Sequence, residues 1–303
     1  MIPEQELPVS IILPIRNEAA FIAECLGAVL AQDYPPDKLE ILIADGMSDD
    51  NTLDIIRSLP GAERVTIIPN PDRIQAAGLN RAIEQATGDI IVRVDGHAVI
   101  APDYVRMCVK TLRITGADNV GGAMNPVGIT PMGKAIAAAG KSSFAVPTAF
   151  HVSQTPQYTD TVYLGAWPRT VFERVGRYRL DVGVNEDYEL NFRIRASGGK
   201  IFYTPEIRSL YYGRQTLSAL WKQYFRYGTS KVKTLRKHPA SLRPRQLVAP
   251  VFVAGLIGGA VLGHCGCSGW RASLCICCSA WRSHGKQRAR MTGRFSGGCR
   301  WSS

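Results

Sequence analysis

Residues 9–13 (VSIIL), 39–45 (LEILIAD), 65–69 (VTIIP) and 89–95 (DIIVRVD) decide the fold. Each is a short run rich in β-branched residues, of the length a buried strand takes. Between them, residues 18–31, 49–58 and 73–86 space their apolar side chains as helices do, with Phe21, Cys25, Ala28 and Val29 marking the first. Repeated strand–helix units predict an α/β domain with a Rossmann-like, mostly parallel sheet flanked by helices. Ligands of such sheets collect beyond the carboxyl ends of the strands. The residues there are Pro14, Arg16, Asn17 and Glu18 after the first strand, Asp45, Gly46, Ser48 and Asp49 after the second, and Asp95, Gly96 and His97 after the fourth.

The second half is less regular. A glycine-rich piece at Gly121 and Gly122 precedes a helical stretch at Ala135–Ala139, and NEDYELNFRIRASGG (185–199) reads as a helix with its acids at the N-terminal end, where the helix dipole favours them. A short strand, KIFYTP (200–205), follows, then an amphipathic segment over 216–237 and a linker, PASLRPR (239–245).

Charge divides the 303-residue chain unevenly. The net charge is +11, and no Asp or Glu occurs after Glu206. Lys222, Arg226, Lys231, Lys233, Arg236, Lys237, Arg243 and Arg245 lie just before an uncharged run, LVAPVFVAGLIGGAVLG (247–263). A basic stretch next to an apolar run predicts a partner membrane rather than nucleic acid, with the basic side cytoplasmic. The run is at the short end of what crosses a bilayer, and a buried core helix is the alternative. Residues 264–303 carry six of the eight cysteines and seven Arg and Lys without periodicity or zinc-ligand spacing, which predicts a tail translated out of frame. Cys25 and Cys108, the remaining pair, fit a reducing cytosol, and MIPEQELPVS has no apolar stretch of signal-peptide length.

The chemistry-bearing residues each admit a plain structural role. Asp95 and His97, just past a buried strand, offer an oxygen and an imidazole to a divalent ion, Mg²⁺ or Mn²⁺, that neutralises a departing diphosphate; an Asp there is also a common turn former. Asp45 can accept the imide N–H of a uracil-like base, or simply close a turn. Glu186 and Asp187 are either helix-dipole partners or a general base for an attacking hydroxyl. Arg226, beside Trp221, Gln223 and Tyr227, suits a diphosphate clamp and equally a membrane-surface helix. AIAAAGKS (135–142) fits a loose phosphate-loop pattern, but no strand precedes it. No GxGxxG follows the first strand, which disfavours a dinucleotide oxidoreductase.

From Pro8 to Gly228 the order of these motifs resembles family-2 glycosyltransferases of the GT-A type, especially bacterial exopolysaccharide glucosyltransferases of the succinoglycan type. VSIILPIRNEAAFIAECLGAVLAQDYP is similar to the family's opening strand and helix, which implies that Pro14, Asn17 and Glu18 lie near the uridine. LEILIADGMSDDNT would set Asp45 against the base, and GLNRAIEQATGDIIVRVDGHA leads to the DxD position, with Asp95 on metal and diphosphate and His97 replacing the second Asp. GVNEDYELNFRIRASG resembles the ED motif, implying Asp187 as catalytic base and Glu186 as its neighbour. QYFRYG resembles the QxxRW motif, with Gln223 and Arg226 kept and Tyr227 in place of Trp.

The resemblance implies inverting transfer from a UDP-sugar, UDP-glucose first among them, to a lipid-linked or oligosaccharide acceptor at the cytoplasmic face of the bacterial inner membrane. The organisation implied is a GT-A domain over 1–238 (nucleotide half 1–120, acceptor and base half 121–238), a linker at 239–246, a membrane helix at 247–263 and the aberrant tail. A sugar nucleotidyltransferase and a non-catalytic membrane-associated binding protein are the alternatives.

Overall fold

The computed structural model describes residues 6–142, 150, 153–242 and 247–263, without the side chains of 249 and 260–263. The chain forms two units, Met1–Ser241 and Leu242–Ser303. Four parallel strands, β1 (Val9–Ile15), β2 (Leu39–Asp45), β3 (Val65–Pro69) and β4 (Ile90–Arg93), lie in the order β3-β2-β1-β4. Helices α1 (Ile22–Leu30), α2 (Thr52–Ser58) and α3 (Gln75–Gln85) connect them. All seven residues of β1 are buried. Its alternation sends Ile11 and Leu13 into one apolar layer with Leu26 of α1, and Ile12 into the other with Leu79 of α3. Truncating one of these fully buried side chains to Ala costs ~2–5 kcal/mol, so the rim residues stand on a rigid base.

Beyond β4 the sheet is mixed rather than parallel. β5 (Ala98–Ile100), α4 (Tyr104–Thr115), β6 (Asn119–Val127), α5 (Pro131–Gly140), β7 (Gln157–Tyr158), β8 (Tyr163–Pro168), α6 (Thr170–Val175), α7 (Glu186–Ala196), β9 (Ile201–Tyr212) and α8 (Leu217–Lys237) follow. The sheet continues β4-β8-β6-β9-β5, with β8 antiparallel to both β4 and β6. AIAAAGKS lies mostly inside helix α5 rather than in a loop between strand and helix, so it is no phosphate loop, although strand β6 does precede that helix.

The strand expected over 200–205 runs on to Tyr212 through a kink. Pairing of β6 with β9 jumps from Gly122–Thr204 to Ala123–Arg208, leaving Pro205, Glu206 and Ile207 unpaired in the ladder. Pro205 has no N–H to give, which suits a bulge. Gly122 is required there, because a Cβ would lie 1.7 Å from the Ile207 carbonyl oxygen. Past the kink β9 pairs with β5 instead of β7, which carries Tyr211 and Tyr212 to the rim beside His97.

In the second unit, α9 (Val248–Gly263) has 16 residues. At 1.5 Å per residue that is ~24 Å, against ~30 Å for a hydrocarbon core. Among the described residues no helix is long and apolar enough to cross a membrane. The membrane helix expected at 247–263 is thus helical but, over its described length, too short to span. The 264–303 tail, and residues 243–246 of the linker, lie outside the described residues.

Candidate active site

The ends of β1 and β2 are register partners, Ile15 opposite Asp45, and the turns that follow them are tied together. Gly46 N donates to Ile15 O at 2.8 Å. Asn17 turns the chain with a φ of 55°, in the left-handed region that Asn tolerates better than most residues. Its backbone N–H donates to Ser48 Oγ at 3.0 Å, its side-chain amide donates to Asp49 Oδ1 at 2.7 Å, and Asp49 N returns a bond to Asn17 Oδ1 at 3.0 Å. Asp50, one residue before the α2 N-cap Asn51, accepts from Thr52 N at 3.0 Å, so neither Asp49 nor Asp50 is itself the cap. Asp45 is 5% exposed and accepts from Ser48 N at 3.2 Å and Ser48 Oγ at 2.6 Å. Asp45 is thereby fixed at the strand end with acceptor capacity left over. Pro14 is buried in β1, past the Ile12–Arg93 pair where β4 pairing ends, so its missing N–H costs no bond to β4.

A buried arginine organises the other end. Arg93 is 6% exposed; its Nε donates to Asp95 Oδ1 at 2.8 Å, and its Nη2 reaches Asp95 Oδ2 at 3.4 Å and Glu186 Oε1 at 3.3 Å. Burial works against its charge, but Asp95 and Glu186 outweigh it and hold its pKa well above the usual value. Across the guanidinium the DxD position meets the start of α7, where Glu186 is buried and Asp187 is partly open. Desolvation pushes the Glu186 carboxyl up to about 7 and raises that of Asp187, with Arg93 pulling both down. An elevated carboxyl at a site rim is poised to take a proton near neutral pH. Arg93 was missed by sequence reasoning; the available signal was a charged residue inside the apolar run DIIVRVD.

Glu18 Oε1 lies 3.0 Å from His97 Nδ1. A carboxylate there accepts from an Nδ1–H and directs Nε2 outward, the arrangement that supports metal-binding histidines. Glu18, placed near the uridine by sequence, turns its side chain to His97. Gly96 makes room for it, since a Cβ would come 2.9 Å from Glu18 Cγ. Burial lowers the His97 pKa, yet the Glu18 bond and charge more than offset this and the net direction is upward. Tyr211 packs edge-on against His97 with ring centroids 5.3 Å apart. Among the described residues no three His, Cys, Asp or Glu side chains form a metal cluster. One carboxylate and one supported imidazole nevertheless fit Mg²⁺ or Mn²⁺, ions that take one or two side chains and complete their shell from substrate phosphates and water.

Helix α8 closes this side. Gln223 Nε2 donates to Tyr227 Oη at 2.8 Å and to Tyr211 Oη at 3.4 Å, and Asn185 Nδ2 to the Tyr227 carbonyl at 3.3 Å. Gln223 is therefore joined to the His97 side of the site. Arg226 is exposed, and no hydrogen bond or ion pair among the described residues joins it to Asp95, Glu186 or Asp187; it lines a surface depression with Trp221, Lys222 and Phe225. A different cation, Arg214, sits nearer. Its charge acts on His97, Tyr211 and Tyr227, and its Nε is buried without a hydrogen-bond partner among the described residues. A buried, unmet donor in a rim loop is a place for an anion. The segment YYGRQT gave no motif that would have singled it out.

The sequence model described as glycosyl transferase family 2 matches residues 10–134, which carry β1–β6, Asp45, Asp95 and His97. The succinoglycan biosynthesis protein ExoA of Rhizobium meliloti (strain 1021) is 35% identical over 256 residues, 83% of this chain and 77% of that protein. The chain belongs to glycosyltransferase family 2. This family-2 glycosyltransferase is also 29% identical over 238 residues to a dolichyl N-acetyl-α-D-glucosaminyl phosphate 3-β-D-2,3-diacetamido-2,3-dideoxy-β-D-glucuronosyltransferase of Methanococcus voltae, across 76% of this chain and 74% of that one. Its fold is that of GT-A enzymes. A mannosyltransferase from Pyrobaculum calidifontis, solved with GDP-Man and Mn²⁺, superimposes with a TM-score of 0.61 at 22% identity over 95% of this chain and 81% of its own. S. aureus TarS 1–349 with UDP gives 0.53 at 17% identity over 68% of this chain, which spans only 60% of that structure.

Proposed function

We propose that the enzyme transfers a sugar from a UDP-sugar, UDP-glucose first, to a hydroxyl of a lipid-linked or oligosaccharide acceptor at the cytoplasmic face of the membrane, with inversion at the anomeric carbon. One observation carries the reading: Arg93 joins Asp95 to Glu186 in one buried polar cluster, and the candidate base Asp187 is the next residue after Glu186, which brings the base to the diphosphate end. Asp45 accepts from the uracil imide, while Asn17 and Pro14 shape the turn beneath it. Asp95 and His97 would hold Mn²⁺ or Mg²⁺, which when bound would supply positive charge toward the leaving diphosphate. Glu18 orients His97. Arg214 donates to the diphosphate, taking the role sequence gave to Arg226. Asp187 removes the acceptor proton as the acceptor oxygen bonds to the anomeric carbon and the bond to UDP breaks; attack from the face opposite the leaving group inverts the centre.

The recorded ligands of the structural neighbours, UDP in one and GDP-Man with Mn²⁺ in another, support a nucleotide-sugar donor and a divalent ion. The relative in succinoglycan biosynthesis supports a polysaccharide pathway. The test is thermal stabilisation of the full chain by UDP, GDP, CMP, ATP and NAD, each with and without Mn²⁺. A shift confined to UDP with Mn²⁺ is expected. A shift confined to GDP overturns the donor assignment, and a shift with ATP favours the nucleotidyltransferase.

A further inference from the structure

Helix α8 is built inside out. The face it turns to the domain is polar: Ser230 and Thr234 are 6% and 0% exposed, Ser230 Oγ accepts from Val184 N at 3.3 Å, Gln223 bonds Tyr211, and His238, just past the helix, bonds Glu189 at 3.1 Å. The opposite face is apolar and open. Leu217, Trp221, Tyr224, Phe225 and Val232 fall within one stripe at 100° per residue, with Trp221 75% and Phe225 65% exposed. Lys222, Arg226 and Lys233 form a second exposed row, on the flank between the apolar stripe and the polar inner face.

We infer that this stripe is a docking surface for an anionic bilayer, with the aromatic side chains in the interfacial layer and the cationic row on the lipid headgroups. Charge chooses the occupant. The helix has no acid, no acid follows it in the chain, and Asp181 and Glu189 are spent on Lys237 and His238 at its inner side. A second copy docking through the same face would set like charges against each other, whereas an anionic surface attracts all of them. Trp and Tyr also favour the level of the headgroups. The inner face of the same helix carries Gln223 and Tyr227 beside Asn185, the residue before Glu186 and Asp187. One helix diameter, ~10 Å, therefore separates the docked face from the base side of the site, which suits an acceptor presented at a lipid surface. The inference extends the lipid-linked acceptor proposed above and rests on it.

The test is co-sedimentation of the full chain with vesicles of phosphatidylcholine alone or with about one-quarter phosphatidylglycerol. Preference for the anionic vesicles, weakened by salt, is expected. Trp221→Ser with Phe225→Ser should lower partitioning about tenfold, and Lys222→Glu with Lys233→Glu should remove the preference, with UDP-induced stabilisation unchanged in both variants. Equal partitioning of parent and variants overturns the inference, since another segment then does the binding. A concentration-dependent dimer that the Trp221/Phe225 variant abolishes overturns it in favour of a contact between copies. UDP binding without vesicle binding refutes the docking surface alone, and vesicle binding without UDP binding refutes the donor reading alone.

Discussion

Replacing Arg93 with Met should unfold the enzyme more readily, and more so at high pH. The guanidinium is buried, bonds Asp95 at 2.8 Å and Glu186 at 3.3 Å, and lies 6.0 Å from the Tyr178 ring centroid. Removing one member of a buried ion pair costs ~3–5 kcal/mol, because the remaining charge is left desolvated. For a unit of this size each kcal/mol moves Tm by ~2–4 °C, so the expected fall is roughly 6–20 °C. The pH dependence follows from the carboxyl pKa values. Desolvation already raises Glu186 and Asp187, and the Arg93 charge is the largest influence lowering both. Without it they rise further, the folded state binds more protons than the unfolded state, and stability falls as pH climbs through the interval between the two pKa values. The deficit should thus be smaller at about pH 5 than at about pH 8. Thermal and urea unfolding at both pH values measures it. A loss under about 1 kcal/mol, or a deficit that does not grow with pH, would show that Arg93 does not hold the cluster together.

The pH profile of kcat/KM should have an acid limb above the usual carboxylate range, because the base must be ionised and burial raises the Asp187 carboxyl; a limb at about 4 would show that it is not desolvated in solution. Glu18→Gln should raise the Mn²⁺ concentration needed for half-maximal activity ~10–100-fold while leaving thermal stability nearly unchanged, and an unaltered metal requirement would place the ion away from His97. Arg214→Ala should weaken UDP binding by roughly ten- to a hundredfold, as expected for a lost charge-assisted contact of ~1.5–3 kcal/mol, and leave binding of uridine unchanged; equal loss for uridine would mean a structural effect.

The nucleotide half of the fold was readable because each of its strands is apolar on both faces. LEILIAD and VTIIP appear as β2 and β3 at the positions read, α3 and α7 are slightly shorter than expected, and α1 starts four residues late because residues 18–21 form a turn before it. The sheet beyond β4 was not readable, because β8 (YLGAWP) has neither a β-branched run nor a periodicity of its own and gains its place by pairing with β4 and β6. Asp45, Asp95 and Asp187 were legible as acids at element ends. The Arg93 bridge was not, since it depends on a contact 93 residues away along the chain, and neither was Glu18 turning to His97 across 79 residues. Arg226 drew notice through its motif, while helical phase put it on the outer side of α8. Arg214 had no motif, and only the strand kink at Pro205 brings its loop to the rim.

The central claim, that Asp187 is the base of a transfer from UDP-glucose, is tested most directly by UDP release from UDP-glucose in the presence of a lipid-linked oligosaccharide extract, comparing the parent chain with Asp187→Asn. Loss of turnover by ~10²–10⁴, with UDP- and Mn²⁺-dependent stabilisation retained, is the predicted result. Near-normal turnover by the variant would contradict it.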